Sequence, residues 1–202
     1  MHNTLISGFG PYDSVHNNPT MRLAAHFAVN SVPGHNITTF VFPVTYAGVA
    51  SSMRTILHAG KKFDTVLMLG ANPIASDWRL ERYGVNQNDL NAADAEGKFI
   101  YSQKIVEGAP DRLESTINCD AAAAAIRAVG LPASVSEDAG RYLCNHLLFV
   151  TLSMLFEHSS IRAGFLHVPP DELTYAKVPD GVTMYSFAEH VRAVEAVLAS
   201  LI

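Results

Sequence analysis

The sequence has few of the features that mark disulfide-rich, membrane-spanning or nucleic-acid-binding proteins. Only two of its 202 residues are cysteines, so at most one disulfide can form, and a small disulfide scaffold is excluded. Charged residues make up 16% of the chain, with 14 lysines and arginines against 19 acidic residues, which gives a net charge of −5. Such a balance does not attract polyanions. We therefore expect neither nucleic acid nor a membrane as a partner.

Long hydrophobic runs are also scarce. The longest apolar stretch, Leu147 to Phe156 (LLFVTLSMLF), is about half of the roughly 20 residues that a membrane-spanning helix needs, and it is interpreted as a buried helix. The first residues, MHNTLISGFG, lack the basic and apolar regions of a secretory signal, which predicts a cytoplasmic protein. In that compartment Cys119 and Cys144 are expected to be free thiols.

What is present is enough apolar sequence for one domain, residues 1–202, with a sizeable core: 49% of the residues are hydrophobic. Apolar, β-branched runs alternate with helical patterns, which is typical of a mostly parallel sheet covered on both faces. The predicted fold is therefore a three-layer α/β/α domain with a twisted sheet. The predicted strands are Thr4–Phe9, Ile37–Val44, Asp64–Gly70, Ala133–Ser136 and Ala163–Val168. The predicted helices are Pro19–Asn30, Tyr46–Ala59, Asn118–Val129, Tyr142–Glu157 and Ser186–Leu201.

One stretch departs from this alternation. Between Arg82 and Tyr101 the sequence changes to short polar and apolar pieces, which predicts a small antiparallel hairpin or an excursion at the sheet edge. The irregular segment from Gln87 to Pro110 is where we first expect subunit contacts or a flexible loop.

Cys144 is the first candidate for chemistry. It follows a predicted strand and a turn containing Gly140, at the start of a long apolar helix. A helix N-terminus favours a thiolate, and its free N–H groups can hold an oxyanion. A buried structural thiol is the alternative at this position. Cys119 is interpreted as structural.

Two further residues can assist a thiol. His167 ends an apolar strand just before two prolines, at the sheet edge where α/β proteins form their sites, and an imidazole there can exchange protons. Glu81 stands in an apolar and aromatic context and can orient a histidine, but from the residues alone an ion pair with Arg79 or Arg82 is the favoured interpretation.

Two cofactor classes find no support in the motifs. Gly8 and Gly10 form a GxG, but Pro11 follows and Asp13 replaces the third glycine of a dinucleotide fingerprint. The nine histidines show no ligand spacing, and neither HExxH nor CxxC occurs, so we expect no metal.

Five blocks in order resemble the pyroglutamyl peptidases, a family of cysteine peptidases. GFGPYDSVHNNPT (8–20) resembles the family's GFxPF…NPT signature, and LERYGVNQND (80–89) its ERxAxNxxD motif. GAP (108–110), AGRYLCNH (139–146) and GFLHVP (164–169) resemble the remaining blocks. The resemblance implies an enzyme that removes N-terminal pyroglutamate from peptides without a metal or organic cofactor. It also implies a homo-oligomer, a dimer or tetramer.

By the same resemblance, Cys144 corresponds to the nucleophile, His167 to the general base and acid, and Glu81 to the residue that orients the histidine. The lactam pocket falls on four residues of the first and fourth blocks: Phe9, Tyr12, Tyr142 and Leu143. Aromatic walls suit a flat, uncharged lactam ring. Core packing is the alternative for Phe9.

The chain departs from the family pattern at Tyr12, where the family has phenylalanine, and at three further positions. Gly10 stands where the family has an acidic residue, Ala75 where it has an arginine in a glycine-rich loop, and Asn91 where it has an arginine near the site. These departures leave three hypotheses: a pyroglutamyl peptidase, a cysteine amidohydrolase of another small N-acyl amide, or a noncatalytic binding protein that retains the fold.

Overall fold

The computed structural model describes residues 1–12, 15–90, 93–156, 160–174 and 178–202. The strands in these ranges are β1 (His2–Phe9), β2 (His35–Phe42), β3 (Thr65–Ala71), β4 (Trp78–Glu81), β5 (Tyr83–Val85), β6 (Asn88–Leu90), β7 (Ile100–Gln103), β8 (Arg112–Glu114), β9 (Ala133–Ser136) and β10 (Arg162–Val168). The helices are α1 (Pro19–Val29), α2 (Tyr46–His58), α3 (Cys119–Ala128), α4 (Leu143–Leu155) and α5 (Phe187–Ala199).

Six strands form a central sheet in the order β2-β1-β3-β10-β4-β9. The first four strands are parallel to one another. β4 pairs antiparallel with β10 and parallel with β9, so these last two strands run the other way. The prediction of a mostly parallel sheet is confirmed.

Each face of the sheet carries its own apolar cluster. Ile6, Leu67 and Leu166 face one way and pack with α1, α3 and α5. Their neighbours along the strands, such as Leu5 and Met68, face the other way and pack with α2 and α4. Alternate side chains of a strand point to opposite faces, so strands that are apolar throughout require helices on both sides. The predicted three-layer α/β/α arrangement is confirmed.

β4 is a strand of the central sheet that was not predicted from the sequence. Its four residues alternate apolar and charged (WRLE). A run this short and this polar does not predict a strand inside a sheet. Trp78 and Leu80 pack into the apolar cluster with α1, α3 and α5. Arg79 and Glu81 therefore lie on the opposite face. β4 carries these two charged residues inside the sheet because the face on which they lie borders a cavity.

The predicted antiparallel excursion is present, but its pairing differs from a simple hairpin within Arg82–Tyr101. β6 pairs with β7 as expected, whereas β5 pairs with β8, which lies beyond that range. The reason is a tertiary contact: the buried Asn86 side chain accepts hydrogen bonds from the backbone N–H groups of Ile105 and Val106, both at 2.9 Å. This contact holds the segment between β7 and β8 next to β5, and β8 then pairs with β5.

Helix starts differ in one respect that bears on the site. A side-chain oxygen caps four helices: Asn18 for α1, Thr45 for α2, Asn118 for α3 and Ser186 for α5. In α4 the N-cap residue is Tyr142, and no side chain caps it.

None of the helices in the described ranges has both the length and the apolar composition that a membrane-spanning helix needs.

Candidate active site

The candidate site lies where β1, β3 and β10 end. Phe9 is the last residue of β1, and Gly70 and His167 are paired on β3 and β10. Carboxyl ends of neighbouring parallel strands meet at one sheet edge, which is where ligand sites form in such folds. The structure therefore places His167 at the edge where the sequence analysis expected it.

Cys144 reaches this edge from the first turn of α4. A Cβ atom on Gly70 would lie 2.8 Å from the Cys144 sulfur and 2.6 Å from Cζ of Phe165. Only a residue without a side chain fits between the helix and the sheet at this point, because real Cβ atoms do not approach sulfur so closely. Gly70 thus sets the approach of the thiol to the sheet, a role that the sequence did not indicate.

His167 and Glu81 are joined by a hydrogen bond. Nδ1 of His167 donates to Oε1 of Glu81 at 2.7 Å, and both side chains are buried. Glu81 pairs with Phe165 in the antiparallel register of β4 and β10, so its side chain lies on the same face as His167, two residues further along. The carboxylate therefore fixes the imidazole with Nε2 left to exchange protons.

The alternative interpretation of Glu81, an ion pair with a neighbouring arginine, is wrong. Arg79 pairs with Asp77 instead, at 2.8 Å. Arg82 points to the other face of the sheet, where it pairs with Asp120 at 3.0 Å and with Glu137 at 2.9 Å.

The electrostatics of the site favour a charged imidazole. Burial opposes the charge, but the charge and hydrogen bonding of Cys144 and Glu81 outweigh it and raise the pKa of His167 to about 10. With this pKa, the His167 imidazole stays protonated at neutral pH. Such a group can donate a proton to an amine and later take one from water.

The start of α4 provides hydrogen-bond donors beside the sulfur. The carbonyl of Tyr142 accepts a helical hydrogen bond from the N–H of His146. The N–H groups of Leu143, Cys144 and Asn145 precede it and have no acceptor within the helix. No side chain caps them, so N–H groups at the start of this helix can hold an oxyanion.

The cavity at the site has two lobes, which meet at Cys144. The first, here called the apolar lobe, is lined by Phe9, Tyr12, Val44, Tyr142, Leu143 and Cys144. All four residues expected to form a pocket thus border it. Phe9 also packs in the core against Phe42, with the ring centroids 6.3 Å apart, so it both borders the lobe and contributes to the core.

The second lobe, here called the polar lobe, lies on the other side of the sulfur. It is lined by Asn72, Arg79, Glu81, Asp138, His167 and Cys144. The two lobes share Tyr12 and Tyr142 as well as Cys144. A substrate whose reacting carbonyl lies at the sulfur can therefore place one group in each lobe.

Asn145 and His146 support the site, although no sequence signal identified them. The buried Asn145 amide accepts from the N–H of Val85 at 2.7 Å and donates to the carbonyls of Val85 and Gln87. Nδ1 of His146 contacts the side chain of Asn88 at 3.1 Å. These contacts tie the first turn of α4 to the β5–β6 segment and hold Cys144 in place.

Cys119 is buried in the opposite apolar cluster. Burial raises the pKa of its thiol to about 11. Its interpretation as a structural thiol agrees with this environment, because a protonated buried thiol is a poor nucleophile.

Other possible sites are less suited to chemistry. No group of three or more His, Cys, Asp or Glu side chains that could hold a metal occurs in the described ranges. A larger cavity of about 540 Å³ lies between the ends of α2 and α4, at the opposite edge of the sheet, and is lined by Leu57, Lys61, Lys62 and Met154 among others. It contains none of the residues singled out from the sequence.

Comparison with known proteins decides the family. A family model described as pyroglutamyl peptidase matches residues 2–202. The chain belongs to the pyroglutamyl peptidase family. The expected resemblance is confirmed, and family membership identifies the chain as an enzyme of the peptidase class.

Two curated relatives agree with this assignment. The pyrrolidone-carboxylate peptidase of Thermococcus litoralis is 33% identical over 176 residues, which are 86% of this chain and 80% of the relative. The pyrrolidone-carboxylate peptidase of Streptomyces coelicolor is 31% identical over 184 residues, 90% of this chain and 82% of the relative.

Solved structures agree in fold. The pyrrolidone carboxyl peptidase from Thermococcus litoralis superposes with a TM-score of 0.93 at 29% identity and covers 99% of this chain and 93% of its own. A mutant pyrrolidone carboxyl peptidase (A199P) from P. furiosus gives a TM-score of 0.91 at 26% identity, covering 98% and 97%.

The three further departures from the family pattern differ in their relation to the cavity. Gly10 lies next to the apolar lobe, and its carbonyl accepts from the Asn18 side chain at 3.1 Å. Ala75 is fully buried and does not border either lobe. Asn91 lies outside the described residues. Within the described ranges, Arg79 is the arginine that borders the polar lobe.

Proposed function

We propose that this chain is a cysteine peptidase that removes N-terminal pyroglutamate from peptides with Cys144, His167 and Glu81. The observation that carries the proposal is the hydrogen-bonded His167–Glu81 pair beside Cys144, at the junction of the two lobes. Family membership favours this function over the two alternatives, hydrolysis of another small N-acyl amide and binding without catalysis.

In the first half of the reaction, the Cys144 thiolate attacks the carbonyl carbon of the pyroglutamyl residue, and a C–S bond forms. The oxyanion accepts hydrogen bonds from N–H groups at the start of α4. The His167 imidazolium donates its proton to the amide nitrogen, the C–N bond breaks, and the shortened peptide leaves with a free amine.

In the second half, neutral His167 takes a proton from water, and the resulting hydroxide attacks the thioester carbon. The C–S bond breaks, pyroglutamate is released, and the Cys144 thiolate and the His167 imidazolium are restored. Glu81 stabilises the imidazolium in both halves and keeps the proton on Nδ1.

Recognition of the acyl group falls to the apolar lobe. Phe9, Tyr12, Tyr142 and Leu143 provide aromatic and apolar walls for a flat, uncharged lactam. Among the residues that the structure describes, none that lines the lobe is charged, which agrees with a substrate whose N-terminus is blocked.

The test is release of a fluorophore from a pyroglutamyl amide, run in parallel with an authentic family member. We expect the wild type and Cys119→Ala to release it and Cys144→Ala to fail. Absence of release by the wild type, while the authentic enzyme is active, would overturn the proposal. Turnover of other N-acyl amides in the same panel, without turnover of the pyroglutamyl amide, would assign the alternative hydrolase.

We also propose a homo-oligomer, a dimer or tetramer, with contacts in the Gln87–Pro110 segment. Phe99 and Tyr101 in that segment are 49% and 58% exposed and stack with their ring centroids 6.0 Å apart. Exposed aromatic pairs are typical of interfaces. Light scattering should give a multiple of 21.8 kDa, reduced in a Phe99→Ser, Tyr101→Ser double variant; a monomeric wild type overturns this proposal.

We propose further that residues 1–202 form one domain and that the protein is cytoplasmic. Both apolar clusters pack on the same six-stranded sheet, so a single unfolding transition is expected. The two cysteines are free thiols, as expected in a reducing compartment. Calorimetry and cell fractionation test these two statements.

A further inference from the structure

Arg79 borders the part of the cavity that receives the released peptide. In the proposed reaction His167 protonates the leaving amine, so the first residue of the leaving peptide must lie in the polar lobe, which contains His167. Arg79 and His167 are directly paired in the antiparallel register of β4 and β10. Residues paired in this way share a face, with Cβ atoms about 4.5–5.5 Å apart. Arg79 is therefore adjacent to the residue that follows the scissile bond.

The guanidinium of Arg79 is held by one edge only. Its Nε donates to Asp77 at 2.8 Å, and Asp77 in turn accepts from the hydroxyl of Ser134. Within the described part of the chain, the two terminal nitrogens of Arg79 have no hydrogen-bond acceptor, and the side chain is 37% exposed. Asp77 thus fixes the direction of the guanidinium and leaves its outer donors available. A guanidinium edge of this kind matches a carboxylate with two parallel hydrogen bonds.

The other charged side chains of the lobe are compensated by partners: Glu81 and His167 pair with each other, and Asp138 is compensated within its own loop. One of its carboxylate oxygens accepts from the N–H of Gly140 at 2.9 Å and from the side chain of Arg141. Asp138 is paired with Arg141 and Arg79 with Asp77, but Asp77 engages only Nε, so the terminal nitrogens of Arg79 are hydrogen-bond donors that an anion in the lobe can use.

We propose that Arg79 binds a carboxylate on the residue that follows the scissile bond, so that the enzyme prefers pyroglutamyl substrates with a negative charge at that residue. The carboxylate has two sources: the free α-carboxylate of a pyroglutamyl dipeptide, or the acidic side chain of that residue in a longer peptide. The inference rests on the proposed function and adds a specificity to it.

Four substrates separate the two sources: pyroglutamyl-alanine as the free acid and as the amide, and pyroglutamyl-glutamate amide and pyroglutamyl-glutamine amide. We expect the charged member of at least one pair to have a kcat/KM about tenfold higher than its neutral partner, as a charge-assisted hydrogen bond provides. A preference within the first pair assigns the α-carboxylate, and one within the second pair assigns the side chain. Equal values within both pairs overturn the inference.

Variants assign the preference to Arg79. Arg79→Gln should abolish it, and Arg79→Lys should keep part of it, since an ammonium retains the charge but loses the paired donors. Arg82→Gln is the matched control, because it removes the same charge from the same segment but on the opposite face of the sheet; it should keep the full preference. A preference that survives in Arg79→Gln overturns the inference.

Two measurements keep the test decisive if Arg79→Gln does not fold. The wild-type preference should shrink at about 0.5 M salt, because salt screens partly exposed charges; a salt-independent preference contradicts an ionic contact. Turnover of the neutral substrates by the wild type tests the proposed function separately. If the neutral substrates are cleaved without a charge preference, only the role of Arg79 fails.

Discussion

Glu81 accepts a 2.7 Å hydrogen bond from Nδ1 of His167 across the antiparallel pair β4 and β10. The second oxygen of this carboxylate, Oε2, is buried and has no hydrogen-bond partner among the described residues. An uncompensated buried oxygen is costly, so the carboxylate is better explained by its effect on the histidine than by its contribution to stability.

Replacement of Glu81 by glutamine should lower kcat by about 10²–10⁴ while the fold is retained. The amide has the same shape but does not stabilise an imidazolium, and its NH₂ group can donate to Nδ1 and select the wrong tautomer. The pKa of His167 should fall, so the alkaline limb of the pH–rate profile should move to lower pH. Steady-state kinetics from pH 6 to 10 measure both effects.

The control is Glu137→Gln, which removes an exposed carboxylate that pairs with Arg82 on the other face. It should leave the profile unchanged. An unaltered kcat together with an unshifted alkaline limb in Glu81→Gln would mean that the carboxylate does not act on His167.

The two thiols should differ sharply in alkylation. Burial raises the pKa of Cys119 to about 11, so at pH 8 its thiolate fraction is about two hundredfold below that of an ordinary thiol with a pKa of about 8.5. Iodoacetamide should therefore label Cys144 in the native protein and spare Cys119. Peptide mass spectrometry after timed quenching measures the two rates.

The same labelling in denaturant is the control, where both thiols should react at similar rates. Comparable rates in the native protein would contradict the burial of Cys119. Slow labelling of Cys144 would instead remove the argument for a thiolate at that position.

The architecture was predictable because the strands that build it are apolar on both faces. β1, β3 and β10 are bounded by clear breaks, and the helices between them show helical periodicity, so topology rules lead directly to a three-layer fold. β4 was not predictable. Its central position depends on contacts of Trp78 and Leu80 with distant helices, and its two charged residues are accommodated by a cavity that no local pattern reveals.

The site was predictable only in part, for a similar reason. Cys144 and His167 stand at element boundaries, which local sequence patterns can locate. The partner of Glu81 depends on the register between two strands more than 80 residues apart in sequence, and local sequence alone favoured a neighbouring arginine. Gly70 and Asn145 act through close approach and burial, which become visible only in three dimensions.

Gly70→Ala should reduce activity by more than its effect on stability explains. The new methyl group would overlap the Cys144 sulfur and the Phe165 ring, so one of them must move. A displacement of the nucleophile of about 1 Å can cost on the order of 100-fold in rate. The measurement is kcat/KM of the folded variant at a temperature below its unfolding transition.

Gly10→Ala is the matched control for this substitution. A Cβ atom there would lie 3.5 Å from the nearest atom, the carbonyl oxygen of Phe42, which is an ordinary contact. This variant should keep the activity of the wild type within a few-fold. Equal activities of the two variants would show that close approach at Gly70 does not position the thiol.

Asn145→Ala should destabilise the protein by about 2–4 kcal/mol. The substitution leaves the N–H and carbonyl of Val85 and the carbonyl of Gln87 without their buried partner. Denaturant unfolding followed by circular dichroism measures the loss. Asn36→Ala, which removes an exposed side-chain bond to Asn3, should change stability by less than about 0.5 kcal/mol. A loss of similar size in both variants would contradict the contribution of these Asn145 hydrogen bonds to stability.

The last prediction concerns acid stability and His146. Burial, with a smaller contribution from Lys98, lowers the pKa of His146 to about 4. The unfolded chain binds this proton near pH 6.5, whereas the folded protein does not, so stability is lost as the pH falls from about 6.5 toward 4.

His146→Gln removes this titration. Between pH 7 and pH 5 the variant should lose less stability than the wild type, by on the order of 1–2 kcal/mol. His58→Gln, at an exposed position near the end of α2, should follow the wild type. Urea unfolding at pH 7, 6 and 5 measures the three slopes. If His146→Gln shows the wild-type slope, the acid sensitivity lies elsewhere, and the next candidate is His190, whose pKa burial also lowers to about 4.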